Sequence, residues 1–201
     1  MIADMIHRQK FLSISPFVSR EECQALAVEL QTNTRWQDST VTDSYGKLQY
    51  KEVKSKARIS QTAYRTMQSA AVHAFTDNLE ARISQMLGVS ALQFEEWQAT
   101  RYEKGGKFDY HNDCGNWKDD PKGGERKYTC LLYVQAPTKG GGTNFKRMGK
   151  YFEPSDGLLL IWDNLTQTGD CNHELLHSGV PVEEGTKIIL VSWIRLGVYK
   201  R

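Results

Sequence analysis

From residue 89 onward the chain is a succession of short apolar stretches cut apart by Gly, Pro and Asp, and this spacing constrains its fold more than any other feature. Strand-type segments, rich in β-branched and aromatic residues, are expected at 93–102, 107–111, 127–135, 143–145, 157–162, 173–176 and 186–196. Strands this short cannot bury a core singly. They do so by pairing into two facing sheets or a barrel, so the pattern predicts a mainly β fold with flanking α: a double-stranded β-helix, the cupin-like jelly roll.

The first 90 residues have a different texture. Residues 11–18 read as a short strand running into a turn. Ser19 and Glu22 make a capping box, each side chain satisfying an orphan backbone N–H, and Leu26, Ala27 and Leu30 give the following helix an apolar stripe that fades by Asn33. The longest helical pattern runs over 66–87, with Ala70, Ala71, Ala74, Phe75, Leu79, Ile83, Met86 and Leu87 near a 3.6-residue period and Gly88 as the C-cap. Both helices are expected on the outside of one sheet. His73 lies beside the stripe and is given no role. Residues 35–58 are polar and turn-rich and read as a solvated segment with an edge strand at 48–53. Their basic series, Lys47, Lys51, Lys54, Lys56 and Arg58, also fits a mobile, positively charged lid over an anion-binding site.

A chain of 201 residues has room for one domain with a sizeable core, so 1–201 is expected to be a single unit, with 1–90 as helical support and lid and 91–197 as jelly-roll core. It is 39% hydrophobic and 25% charged, with no long apolar run, which excludes a membrane-spanning helix. A formal net charge of +2 gives no nucleic-acid footprint and leaves the oligomeric state unread. Cys23, Cys114, Cys130 and Cys171 form no CxxC pair, so free thiols in a reducing compartment are expected. The N-terminal stretch MIADMIHRQKFLSIS has scattered charges and no continuous apolar segment, which predicts no secretory signal and a cytoplasmic address.

The chemistry concentrates in residues 102–113, YEKGGKFDYHND. In a strand, His111 and Asp113 share one face while Asn112 points to the other. An imidazole and a carboxylate then converge, and a second histidine from elsewhere would complete the two-histidine, one-carboxylate set used by non-haem iron(II) oxygenases. Two readings compete for His177. In HELLH, His173 and His177 match the zinc-protease pattern, which works only on a helix. Here Gly169 just upstream, with Gly179 and Pro181 just downstream, leaves barely two turns, and no distant glutamate follows, so that match reads as coincidence. In the other reading His177 is the missing partner of His111 and Asp113. Ten residues beyond it Lys187, on an apolar strand, offers an ammonium for a carboxylate inside the barrel.

Six motifs then fall in register: HND at 111–113, GGGTNF at 140–145, FEPSDG at 152–157, WDNL at 162–165, HSGVPVEEGTK at 177–187 and SWIR at 192–195. In order and spacing they resemble the 2-oxoglutarate and iron(II)-dependent dioxygenases, above all the catalytic domain of collagen-type prolyl 4-hydroxylases. The likeness covers roughly residues 90–197 and the N-terminal helices only loosely. It implies that His111, Asp113 and His177 bind Fe(II) and leave positions for 2-oxoglutarate and O2, with ascorbate as a possible reductant. It implies further that Lys187 pairs with the distal carboxylate of 2-oxoglutarate, beside Tyr133 and Tyr102. Trp193 matches a tryptophan near the iron, and Arg58 resembles an arginine of the substrate-side loop. The reaction implied is hydroxylation of an unactivated C–H bond, with 2-oxoglutarate decarboxylated to succinate.

Two departures bear on the substrate. Prolyl hydroxylases often carry a substrate-facing tyrosine three residues before the first ligand, and this chain has Phe108. The loop 114–125, CGNWKDDPKGGE, has no counterpart in the family pattern; it reads first as a solvated turn, and Asp119 and Asp120 with Trp117 also fit a cap for a cationic or peptide substrate. A peptidyl proline is therefore weighed against a free amino acid or small biosynthetic intermediate. A third reading, from another class, is a jelly-roll binding or sensor protein without turnover. Intact His111, Asp113, His177 and Lys187 speak against it.

Overall fold

The structure is a computed structural model and describes residues 2–43 and 51–199. Its α-helices are α1 (Ile2–Gln9), α2 (Arg20–Thr32) and α3 (Ala70–Leu87). The strands begin with β1 (Phe11–Ile14), β2 (Gln37–Asp38), β3 (Val41–Asp43), β4 (Lys51–Val53), β5 (Arg58–Ile59), β6 (Gln61–Ala63), β7 (Gln98–Tyr102) and β8 (Lys107–His111). They continue with β9 (Arg126–Gln135), β10 (Lys139–Gly140), β11 (Thr143–Phe145), β12 (Lys150–Phe152), β13 (Leu159–Asp163), β14 (His177–Gly179), β15 (Val182–Glu184) and β16 (Lys187–Arg195). A seven-stranded sheet in the order β1-β13-β9-β16-β7-β6-β2 faces a five-stranded sheet in the order β12-β11-β14-β8-β5, the expected jelly roll.

The large sheet is buried on both faces, which explains why β9 and β16 read as nearly continuous apolar runs. Alternate residues sort to opposite sides. Cys130, Leu132 and Val134 of β9, with Ile188, Leu190 and Ile194 of β16, pack against Leu26 and Leu30 of α2 and Leu79 and Ile83 of α3. Leu131, Tyr133 and Ile189 point the other way and meet Phe145 and Leu175 between the sheets. Each aliphatic side chain buried in the helix layer contributes about 1.5–3 kcal/mol. That layer holds the sheet rigid and leaves the opposite face free to carry polar residues.

Local signals account for most boundaries. Ser19 and Glu22 make the capping box at the start of α2, and Gly88 ends α3 with φ 70°. The buried face of α3 differs from expectation: Val72, Thr76, Leu79, Ile83 and Leu87 point inward, while Ala70, Ala71 and Ala74 are exposed. The helix starts later than expected, capped by Ser69 after a separate 3-10 turn at Arg65–Met67, and this shifts the stripe. Helix α1 was not anticipated; it is anchored by Ile6, which is fully buried. Residues 173–176 form not a strand but a 3-10 turn, His173–Leu175, capped by Asn172, whose side chain accepts the Glu174 N–H. In the lid segment β4 pairs with β3, and Arg58 sits on β5, hydrogen-bonded in the small sheet to β8. Lys47 lies outside the described residues.

The cysteine expectation needs correction. Cys114 and Cys171, 57 residues apart, are joined by a disulfide, and only Cys23 and Cys130 are buried free thiols. Folding brings the pair to a Cα separation of 5.4 Å, which spacing along the chain does not reveal. The cysteine argument for a cytoplasmic address falls with it. Among the described residues no helix is long and apolar enough to cross a membrane.

Gly157 closes the turn that joins the sheet edge to α2. Its N–H donates to the Tyr133 carbonyl at 2.9 Å, and its own carbonyl accepts the Phe17 N–H at 2.8 Å. Its φ is 81°, and a Cβ there would overlap the Val18 carbonyl. Gly157→Ala is expected to destabilise the fold by about 2–4 kcal/mol in urea denaturation. A loss below about 1 kcal/mol would contradict the tight approach.

Candidate active site

The site is assembled by one strand pairing. His177 of β14 lies opposite His111 of β8, but Gly179 lies opposite Phe108, so two steps on one strand match three on the other. A bulge of this kind re-aims side chains. Here it turns Phe108 onto the face of His111, where the rings stack with centroids 3.7 Å apart and planes 18° from parallel. The two imidazoles are 4.3 Å apart, and Trp162 and Phe145 pack against His177 at 4.9 and 5.2 Å.

Both rings are oriented by the backbone. Nδ1 of His111 bonds the Asp109 carbonyl at 2.8 Å, and Nδ1 of His177 bonds the Leu175 carbonyl at 2.9 Å. A carbonyl only accepts, so each Nδ1 carries the proton and each Nε2 lone pair is free. Those Nε2 atoms stand 3.7 and 3.5 Å from the Asp113 carboxylate, and one donor atom from each of the three residues falls within 4.8 Å of the others. Burial and the neighbouring His177 push the His111 pKa down to about 3. Burial alone would raise that of Asp113, but the two imidazoles, Arg126 and the Thr129 hydroxyl outweigh it and hold the carboxyl below its ordinary value. Two neutral imidazoles and one carboxylate, with lone pairs converging on one point, are the donor set of a divalent metal such as Fe(II).

A second cluster lies inside the barrel. Lys187 is buried, its Nζ donates to the Gly141 carbonyl at 2.7 Å, and it sits over the Tyr102 ring at 4.4 Å and the Tyr133 ring at 5.6 Å. The hydroxyls of Tyr133 and Thr143 are 2.7 Å apart. A Cβ on Gly179 would lie 3.5 Å from Nζ, which places the ammonium beside the strand that carries His177. Among the described residues no carboxylate pairs with it, and burial pushes its pKa down to about 7. The expected trio Lys187, Tyr102 and Tyr133 is thus brought together, with Gly141 and Thr143 of GGGTNF joining it.

Trp193 belongs elsewhere. It lines an open cleft of about 890 Å3, shared with Arg58, Phe108, His111, Asp113 and Trp117. The Arg126 guanidinium covers its ring at 3.7 Å and reaches Trp117 at 4.7 Å, and Arg195 is also 4.7 Å from Trp117. Both arginines bond Glu95, Arg126 in bidentate fashion at 2.6 and 2.8 Å and Arg195 at 2.6 Å. On the far wall Arg58 stacks over Phe108 at 4.8 Å. Sequence reasoning missed Glu95, Arg126, Arg195 and Thr129. For Thr129 a signal existed, since it shares the inward face of β9 with Tyr133. The HELLH string is broken in space, with His173 on its 3-10 turn bonded to Asn112 and His177 on β14.

Residues 97–195 match the family model of the 2OG-Fe(II) oxygenase superfamily. The chain belongs to this superfamily. Among curated proteins it is 29% identical over 147 residues to prolyl 4-hydroxylase subunit alpha-1 of Gallus gallus, covering 68% of this chain and 28% of that one. The Caenorhabditis elegans subunit alpha-1 is 32% identical over 163 residues, covering 78% and 28%. The chain therefore spans less than a third of these relatives. Among solved structures, the viral collagen prolyl hydroxylase of Paramecium bursaria chlorella virus-1, in complex with 2OG, superposes with a TM-score of 0.69 at 25% identity over 92% of this chain and 96% of that one. A Pseudomonas putida prolyl-4-hydroxylase shares the fold, with a TM-score of 0.64 at 20% identity over 96% of each chain.

A superfamily member with a buried lysine and no acid beside it should be strained by that charge. The unfolded lysine titrates near 10.4, so the penalty is full below about pH 7 and fades as pH rises toward the unfolded value. Lys187→Met should make the protein, without added metal or cosubstrate, about 1–3 kcal/mol more stable at about pH 6, after about 1 kcal/mol lost at the Gly141 carbonyl. The gain should shrink by about pH 10 in urea unfolding; a pH-independent gain, or a loss, would place the ammonium in a solvated setting.

Proposed function

We propose that the chain is a 2-oxoglutarate- and Fe(II)-dependent dioxygenase that hydroxylates a peptidyl proline. The observation that carries this reading is the pairing of a His111, Asp113, His177 donor set with a buried ammonium, that of Lys187, which has no acid beside it among the described residues and lies next to Gly179, two strand positions past His177. In this assignment His111, Asp113 and His177 hold Fe(II). Lys187 takes the distal carboxylate of 2-oxoglutarate, with the Tyr133 hydroxyl alongside and Tyr102 lining the pocket. Bound there, Fe(II) would supply the oxidation with 2-oxoglutarate and O2, one oxygen atom ending in succinate as CO2 leaves and the other in the hydroxylated carbon, with ascorbate serving only to re-reduce iron oxidised outside that reaction.

The protein's residues set the conditions. The two Nδ1–carbonyl bonds fix both rings with Nε2 turned to the site, so neither ring must turn on binding. A carboxylate reaching Lys187 would restore its full charge and gain a desolvated, charge-assisted bond. Gly141 and Gly179 keep space around that ammonium which a side chain would fill. Phe145 and Trp162 exclude water behind His177. The cleft wall that includes Phe108, Trp117 and Trp193 is rich in aromatic residues, and an open cleft suits an extended peptide better than an enclosed amino acid. The relatives named as prolyl 4-hydroxylases support this choice. The whole of 1–201 would act as one catalytic unit, with 1–90 supporting the 91–197 core.

Anaerobic titration with Fe(II) and 2-oxoglutarate should produce the visible charge-transfer band of the chelated 2-oxo acid, and His177→Ala should abolish it. Wild-type protein in air should then release succinate in step with hydroxylation of a proline-rich peptide and not of free proline. Absence of the band in wild type would remove the metal assignment, and hydroxylation of free proline alone would replace the peptide with a small substrate.

A further inference from the structure

Asp113 lies just beyond the end of β8, so strand geometry does not fix its carboxylate. A buried chain of two side chains does. Oδ2 of Asp113 accepts the Thr129 hydroxyl at 2.7 Å, and Oγ1 of Thr129 in turn accepts Nδ2 of Asn164 at 2.8 Å. The direction of the chain is settled by Asn164, because its amide N–H can only donate. The threonine hydrogen is therefore committed to Asp113. Thr129 is 1% and Asn164 2% exposed, so water does not compete for these bonds.

Asn164 is itself anchored on two sides. Its N–H donates to the Lys127 carbonyl at 2.8 Å, and its carbonyl accepts the Asn172 N–H at 2.8 Å. Thr129 sits in the middle of the large sheet, paired with Trp162 of β13 and Trp193 of β16. The relay thus runs from the most rigid part of the fold to the one donor residue that no strand orients.

We propose that Asn164 and Thr129 are positioning residues that hold the Asp113 carboxylate in its metal-binding orientation. With Oδ2 tied, the carboxylate cannot rotate away from the two Nε2 atoms, and the entropy of ordering it is lost on folding instead of on metal binding. Truncating the relay lets the carboxylate turn and leaves buried polar atoms unpaired. The inference rests on the reading of His111, Asp113 and His177 as a metal site.

The test is Co(II) affinity, measured by visible absorption with a competing chelator on the full chain. Thr129→Val, which keeps volume and removes the hydroxyl, should weaken Co(II) binding by about 10- to 100-fold, as loss of an outer partner of a ligand does. Thr129→Ser should restore it to within about threefold. Asn164→Ala should weaken it by roughly threefold or more, and serves if the valine variant does not fold. The Co(II) absorption spectrum gives a readout that mere packing would not move, and it should change in Thr129→Val and return in Thr129→Ser. Wild-type affinity and spectrum in both Thr129→Val and Asn164→Ala would overturn the inference. No Co(II) binding by wild type, with His177→Ala alike, would instead remove the metal reading on which it rests.

Discussion

Everything at the site hangs on β14 pairing with β8 so that His177 stands opposite His111. A register one residue off would send His177 to the other face. The pairing is held by what lies around it: β11 on the other side of β14, and Phe145, Trp162 and Phe108 against the two rings. Phe108 stacks on His111, whose burial disfavours its charged form and so keeps its Nε2 lone pair available.

That arrangement concentrates strain in one layer and support in another. The interior face of the large sheet carries a buried ammonium, a buried threonine and two buried tyrosines, none of which favours folding as strongly as an aliphatic residue would. The opposite face of the same strands is almost wholly aliphatic and is sealed by the helices. Alternation along β9 and β16 thus lets one strand contribute to stability with its even positions and to chemistry with its odd ones, a division consistent with the trade between stability and activity seen in enzymes generally. The disulfide from Cys114 to Cys171 and the Asn164 relay act between these layers, on the stretch that follows β8.

Much of this was legible in the residues, for physical reasons. Strand spacing after Gly88 sets a jelly roll because short strands need facing sheets. His111, Asp113, His177, Lys187 and Tyr133 were singled out because the motifs that carry them are fixed in spacing, and the fold brings them into two clusters. Three things were hidden. The cysteine pair depends on a meeting of segments 57 residues apart. The α3 stripe shifted because Ser69 captures the cap. The Arg126 guanidinium that covers Trp193 at the cleft wall comes from another strand, and a sequence gives a strand's alternation but not which side chains of neighbouring strands meet.

The cleft wall shows how charge is withdrawn from an apparently basic surface. Arg126 and Arg195 share the carboxylate of Glu95, and Arg195 also lies 3.3 Å from Asp120. Their charge is spent on these partners, and each guanidinium lies over an aromatic ring, Arg126 over Trp193 and Trp117 and Arg195 over Trp117. Such a column is stiff, since every planar group is clamped on a face. It therefore presents a preformed aromatic surface instead of an ionic one, and a neutral, ring-shaped side chain meets it with little desolvation of charge. The loop that supplies Trp117 is bound into this column by Glu125, which accepts the N–H groups of Gly115 and Trp117 at 2.8 and 3.2 Å. Its departure from the family pattern is thus a built wall, tied down by Glu125.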